Sequence, residues 1–369
     1  MIFAMVVIGG ITRLTWSGLS ITEWQPVSGA IPPLSAADWQ AEFAKYQQTS
    51  QYKLLNAGMS LADFKTIFLW EYVHRLWGRL IGFVYLLPFL YFLMRRRIPR
   101  RLAWPLSGIF GLGFAQGALG WWMVESGFAN RIEVSQYRLT AHLALALVIY
   151  AATLWTALGL LGSPSPARRQ REALSARRWE GEGYRRTEPA PNGPTHPALS
   201  PQPAGVEWKK PVWLQHFASA VLCLVGLTIV AGGFVAGLNA GLTYNTFPLM
   251  DGNFVPEGYT QLSPFIRNWF ESIPAVQFDH RLLAETTVSV VVLLWIAGRR
   301  AALLHPARLA LDALFAATLL QASLGIATLL LVVPVPLATA HQAGAVFLLT
   351  TAIIFRHTLR NSKATAAGG

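Results

Sequence analysis

A single cysteine, Cys223, is present, so the chain has no internal disulfide, no thiolate metal cluster and no CxxC redox pair. Charge is also scarce. Asp, Glu, Lys and Arg make up 13% of the 369 residues against 53% hydrophobic, which excludes an ordinary soluble domain. No cleavable signal peptide is expected from the first residues.

What is present is a series of apolar runs of about 20 residues, the length that crosses about 30 Å of hydrocarbon. They fall near 66–94, 104–123, 139–161, 212–237, 281–298, 308–332 and 336–355. An all-α integral membrane protein is expected. Met1 to Ile11 gives roughly 17 Å of helix at 1.5 Å per residue before Arg13, so this span is expected to be the shortened first of eight.

The net charge of +12 does not point to nucleic acid, because the basic residues are confined to short segments: "RRRIPRR" at 95–101, "ARRQREALSARR" at 167–178, "GRR" at 298–300 and "RHTLR" at 356–360. Basic loops stay on the cytoplasmic side, or face the matrix in a mitochondrion. The loops 13–65, 124–137 and 238–279 then lie outside, and both termini are expected inside. Arginine is used far more than lysine, which favours a bacterial inner membrane, with the mitochondrial inner membrane as the alternative.

The chain repeats itself. "VIGGITRLTWSGLS" at 7–20 matches "VAGGFVAGLNAGLT" at 230–243, "EYVHRLWGR" at 71–79 matches "QFDHRLLAE" at 277–285, "AQGALG" at 115–120 matches "LQASLG" at 320–325, and "RLTAHLALA" at 138–146 matches "LATAHQAGA" at 337–345. Two tandem four-helix bundles related by a pseudo-two-fold axis along the membrane normal are expected. The halves are 1–162 and 211–358, with a cytoplasmic tail at 359–369. Between them 163–210 is rich in Pro, Arg, Gly and Ser, and reads as a disordered cytoplasmic linker without a catalytic role.

Four of the eight histidines occupy matched repeat positions: His74, His142, His280 and His341. Each lies about 22 to 30 Å of helix from the cytoplasmic end of its span, at 1.5 Å per residue, which puts all four toward the outer leaflet. One histidine near a helix end is ordinarily an interfacial group; four at one depth, two per repeat, point to ligands. Two imidazoles projecting from a bundle can hold a porphyrin between them, with propionates near Arg75, Arg79 and Arg281. Zinc is the competing ligand, but it prefers four donors converging on one point, so two haems fit the division better than one metal ion.

Glu71 breaks the repeat, because its counterpart is Gln277. The carboxylate lies three residues from His74 on one helical face. Its bland reading is an interfacial carboxylate paired with Arg75; its loss from the second copy favours chemistry in the N-terminal half. Asp279, Glu285, Trp121 and Trp122 are weaker signals. Gly9, Gly10, Gly232 and Gly233 read as close helix packing, and His196, His216, His305 and His357 receive no ligand role.

These residues, with "GGITRLTWSGLSITEWQPVSGAIPPL" at 9–34, "FKTIFLWEYVHRLWGRLIG" at 64–82, "NAGLTYNTFPLMDG" at 239–252 and "FDHRLLA" at 278–284, resemble the haem A synthase family in its mitochondrial-like branch over about residues 6–358, apart from the linker. The resemblance implies oxidation of the C8 methyl of haem O to the formyl of haem A. It implies His74 and His142 at the substrate haem, His280 and His341 on a haem b, and Glu71 as the catalytic carboxylate. It also implies haem O synthase and cytochrome oxidase assembly factors as partners, in a lipid setting, with the electron acceptor unnamed and homo-oligomerisation open. Another branch carries an outer-loop cysteine pair that is absent here, so thiol steps do not transfer. The readings that compete are a bis-histidine di-haem cytochrome b that only transfers electrons, and a haem carrier.

Overall fold

The computed structural model describes residues 1–25, 28–128, 132–161, 212–301 and 303–361. The linker expectation at 163–210 lies outside the described residues. Among the described residues the regular structure is helical, with no strand beyond an isolated bridge between Met250 and Asn253.

Seven helices among the described residues are long and apolar enough to cross a membrane: α4 (Leu61–Met94), α5 (Arg100–Phe128), α6 (Gln136–Leu161), α7 (Val212–Gly237), α9 (Ile273–Arg300), which follows the short α8 (Asn268–Glu271), α10 (His305–Leu330) and α11 (Val335–Asn361). They match the predicted runs, and the last helix continues to Asn361, past the predicted run end at 355 and the predicted boundary of the half at 358. The shorter α1, Ile2–Leu14, is apolar but has 13 residues. Pro88 and Pro105 lie inside α4 and α5, tolerable in lipid where neighbouring groups take up the freed carbonyls. Prolines in the first turns of α9 and α10 lose only N–H groups that a helix start leaves unbonded.

The 34 residues of α4 span about 51 Å at 1.5 Å per residue, well beyond about 30 Å of hydrocarbon. Its N-terminal overhang starts at Ser60, whose hydroxyl accepts from Asp63 N at 3.2 Å. The overhang carries Phe64 and Phe68, and against these rings pack α2 (Ala36–Tyr46) and α3 (Ser50–Leu55). Trp39 meets Phe68 at 5.0 Å, Phe43 meets Phe64 at 5.0 Å and Tyr46 meets Phe64 at 5.3 Å. A capping box between Ser35 and Asp38 starts α2, its backbone N–H donors holding the Asp38 carboxyl below its usual range. This aromatic cap fixes the chain that enters α4.

Helix α1 packs against α4, α6 and α11; α7 packs against α9, α11 and α6; α5 joins α4 to α6, and α10 joins α9 to α11. The main apolar core is drawn from α7, α9, α10 and α11, with Val6 and Leu147 entering from α1 and α6. Helices α4 and α5 supply none of its side chains. They meet where Tyr85 donates to Leu106 O at 2.8 Å and stacks on Phe110 at 6.3 Å.

Candidate functional site

Each repeat histidine rests its ring against a glycine of a neighbouring helix. A Cβ at Gly9 of α1 would lie 3.2 Å from His74 Cε1; at Gly120 of α5, 2.9 Å from His142; at Gly232 of α7, 3.0 Å from His280; at Gly325 of α10, 2.8 Å from His341. Four imidazoles on α4, α6, α9 and α11 are thus held by one device, a helix face without side chains. The helices that carry His74 and His142, α4 and α6, both pack on α1, and those that carry His280 and His341, α9 and α11, both pack on α7. Among the described residues no three His, Cys, Asp or Glu side chains gather around a point; the histidines stand in twos.

The two pairs differ in what holds their rings. His280 Nδ1 lies 3.2 Å from Thr228 O, a carbonyl that can take only Nδ1–H and so leaves Nε2 free. His341 Nδ1 lies 3.1 Å from the Gln321 carboxamide. With that amide turned over, which an Asn or Gln assignment always permits, Oε1, otherwise without a partner, accepts Nδ1–H. Nε2 is then left for a metal, the arrangement by which ligating histidines are oriented. In the other pair, Gln116 Nε2 is 3.3 Å from His142 Nε2 and donates to His142 O at 3.0 Å, while His142 Nδ1 has no partner. None of the described hydrogen bonds involves a ring nitrogen of His74. The residues present therefore fit axial ligation of a haem in both halves, with the C-terminal pair more firmly oriented.

Glu71, 3% exposed, is held by four donors. Oε2 accepts from Ser20 Oγ and Ile21 N, both at 2.8 Å, and Oε1 accepts from Arg75 Nε at 3.0 Å and Nη2 at 2.6 Å. The pairing with Arg75 that the i,i+4 spacing allows is therefore formed, and the carboxylate also fastens the chain at Ser20–Ile21 to α4. Arg75 continues to Ile21 O and Glu23 O and lies over Trp24.

The repeat is kept around Gln277 with one change. Arg281 reaches Thr246 O and Tyr244 O, the residues equivalent to Glu23 and Ile21. Gln277 Nε2 donates to Thr243 O at 2.8 Å, and Arg281 Nε, whose counterpart in Arg75 serves Glu71, is buried without a partner. Gln277 Oε1 likewise has none.

The predicted propionate arginines on α4 and α9 thus face loop carbonyls; Arg79 donates to Gln25 O at 2.7 Å. Beside Arg75 a cavity of ≈ 20 Å³ is lined by Glu23, Trp24, Trp121 and Glu125, room for about one water. Glu23 there is held below the ordinary carboxylate range by Lys45, 3.1 Å away, and then by Gln25. Trp122, read as belt, has its carbonyl and its ring engaged by Arg138, at 2.7 Å and 4.1 Å. Asp279 accepts from Tyr259 at 2.9 Å.

Sequence reasoning missed Gln116 and Gln321, although both lie inside the quoted repeats "AQGALG" and "LQASLG". It also assigned all four helix glycines to helix packing. Gly10 and Gly233 do this, facing Gln342 in one case and Thr140 and Leu143 in the other, whereas Gly9 and Gly232 receive imidazoles.

Known proteins match this sequence along nearly the whole chain. The chain is 50% identical over 360 residues to the heme A synthase of Nitrosospira multiformis, covering 98% of this chain and 90% of the relative. It is 48% identical over 361 residues to that of Rhodospirillum centenum, covering 98% and 86%. It is 42% identical over 366 residues to heme A synthase COX15 of Arabidopsis thaliana, covering 97% and 72%. The model of one family, described as cytochrome oxidase assembly protein (COX15-CtaA), matches residues 1–181 and 200–353; with relatives this similar over this much of its length, the chain belongs to that family.

Proposed function

We propose that the protein is a haem A synthase, which oxidises the C8 methyl of haem O to the formyl of haem A for cytochrome oxidase. The observation that carries this reading is the pair of matched histidine sites, alike in their glycine cradles and unlike at one position, Glu71 against Gln277. A passive di-haem cytochrome or a haem carrier has no use for a buried carboxylate in one half alone.

In this reading the protein is two four-helix units, α1 with α4 to α6 and α7 with α9 to α11. The contacts support it: α1–α4, α4–α5, α5–α6 and α1–α6 recur as α7–α9, α9–α10, α10–α11 and α7–α11. The seam contacts α6–α7 and α11–α1 are likewise equivalent. Residues 1–162 form the substrate half, 211–358 the cofactor half, and 163–210 and 359–369 face the cytoplasm at a bacterial inner membrane.

His280 and His341 would hold a haem b, which supplies a one-electron carrier when bound. Their second ring nitrogens are committed, as suits a resident group. His74 and His142 would receive haem O, and their looser rings suit a macrocycle that must enter and leave. Helices α4 and α5, absent from the main core, leave the substrate half open to lipid for the isoprenoid tail. The chain residues position this substrate by imidazole contact at its centre and by Arg75 and Arg79 at the propionate edge, while Arg281 would serve the haem b of the other half in the same way.

Turning a methyl into a formyl, written with water as the oxygen donor, releases four protons and four electrons, the electrons passing to an external acceptor, and develops positive charge at the carbon attached to the ring. Glu71, fixed by four donors, supplies a preorganised negative charge close to His74, which favours that charge development. The small cavity beside Arg75 has room for about one water as a proton acceptor at this edge. Haem O synthase is the partner that supplies the substrate.

The test is conversion in cells that make haem O. The wild-type chain should yield haem A, and His74→Ala should yield only haem O while keeping the b-type spectrum. Haem A formation by His74→Ala at the wild-type level would remove the substrate site from the N-terminal half.

A further inference from the structure

At the seam between the halves, the adjacent glycines Gly9 and Gly10 of α1 face different partners. The His74 ring lies on Gly9, and the Gln342 carboxamide lies so close to Gly10 that a methyl group there would fall on its Oε1. Gln342 Nε2 donates to Val6 O at 2.7 Å. In an α-helix that carbonyl already serves the N–H of residue 10, and the Gln342 amide reaches it as a second donor across the bare position at Gly10.

Gln342 immediately follows His341. Leu143 holds the same place after His142 and packs on Gly233, its Cδ2 3.3 Å from where a Cβ would sit. The two equivalent seams therefore differ: α6 meets α7 through a leucine, and α11 meets α1 through a hydrogen-bonded carboxamide. The polar seam is the one that backs His74. Helix α1 is held elsewhere at its outer end, where Thr12 Oγ1 reaches Trp70 O at 3.4 Å and Arg13 reaches Ala236 O and Asn239 Oδ1 at 2.8 and 2.7 Å. Gln342 supplies the hold at the depth of the imidazole.

We infer that Gln342 is a positioning residue for the substrate site of the opposite half, setting the stance of Gly9 and hence of the His74 ring through its hydrogen bond to α1. The inference rests on the reading of His74 as a contact of the substrate haem. It gives the cofactor half a direct mechanical hold on the substrate half, one residue from His341 on α11 and one residue from Gly9, the contact of His74, on α1.

The experiment uses the full-length protein purified with its haems, comparing Gln342→Leu, Gly10→Ala and the double variant Gly10→Ala with Gln342→Ala. Leucine is the side chain the equivalent seam carries, and the C-terminal haem b signal serves as the control for folding. For Gln342→Leu we expect an unchanged haem b signal, a shifted electron paramagnetic resonance signal from the haem at His74, and kcat lowered about tenfold with KM within about twofold, a displacement effect. Gly10→Ala should do the same, and the double variant should recover part of the rate, because the methyl fills space that the shortened side chain vacates.

Wild-type rate and signals in Gln342→Leu would overturn the inference. So would loss of the haem b signal alone, which would make Gln342 a support of His341, or a double variant no better than Gly10→Ala. A wild-type protein with no histidine-ligated haem in its N-terminal half, but with haem b intact, would overturn the underlying site reading and this inference together.

Discussion

Replacing Glu71 by glutamine removes one charge and almost no volume. Four donors converge on the carboxylate, two from Arg75 on one oxygen and one each from Ser20 and Ile21 on the other. An amide retains one acceptor and turns the other into a donor, so in either orientation it faces two donors it cannot serve. Arg75 keeps Ile21 O and Glu23 O, and the Ser20 hydroxyl can turn away. With hydrogen bonds to charged groups worth about 1.5–3 kcal/mol each, the loss is about 2–3 kcal/mol, and the protein remains folded. Rate behaves differently: a general-base or electrostatic contribution is about 10² to 10⁴-fold. Glu71→Gln is therefore expected to keep haem per protein near the wild-type value while conversion nearly stops, with a partly oxidised product accumulating. The assay is the haem A to haem O ratio by chromatography beside haem content. Near-normal haem A from a variant with the expected stability loss would make Glu71 solely the clasp between α4 and the Ser20–Ile21 chain.

Gly325→Ala places a Cβ 2.8 Å from His341 Cε1, so it should displace that ring and weaken the b-type spectrum, while Gly113→Ala, with open space around it, should leave the spectrum unchanged; equal spectra in both variants would refute the cradle. Gln277→Glu gives Arg281 Nε the acceptor it lacks but sets an oxygen against Thr243 O, so the two effects should offset to within about 1 kcal/mol. That variant should fold with wild-type haem content, and its disappearance from the membrane fraction would count against the accounting.

The spans were legible because lipid demands about 20 apolar residues and little else resembles that. The outer cap was not: α2 and α3 are short and amphipathic, and the Ser35–Asp38 box that starts α2 gives no hint that its aromatic rings fold onto an overhang of α4. Around the site, Arg75 could be read as the partner of Glu71 from spacing alone. Ser20 and Ile21 could not, being 51 and 50 residues away in sequence. The histidines stood out through repetition. Their glycine partners were equally repeated, but a sequence does not say whether a bare helix face receives another helix or a ring. The Gln277 substitution was visible, and its consequence, an unserved Arg281 Nε, was not.

A division of labour between two like halves is tested most directly by extraction of haems from two paired variants. Protein co-expressed with a haem O synthase should yield haem b together with haem O and haem A on mass analysis. His280→Ala with His341→Ala should lose haem b and retain bound haem O, and His74→Ala with His142→Ala should retain haem b and lose haem O and haem A. Haem b alone in the wild type, or the same loss from both variants, would contradict the assignment of substrate to the N-terminal half and cofactor to the C-terminal half.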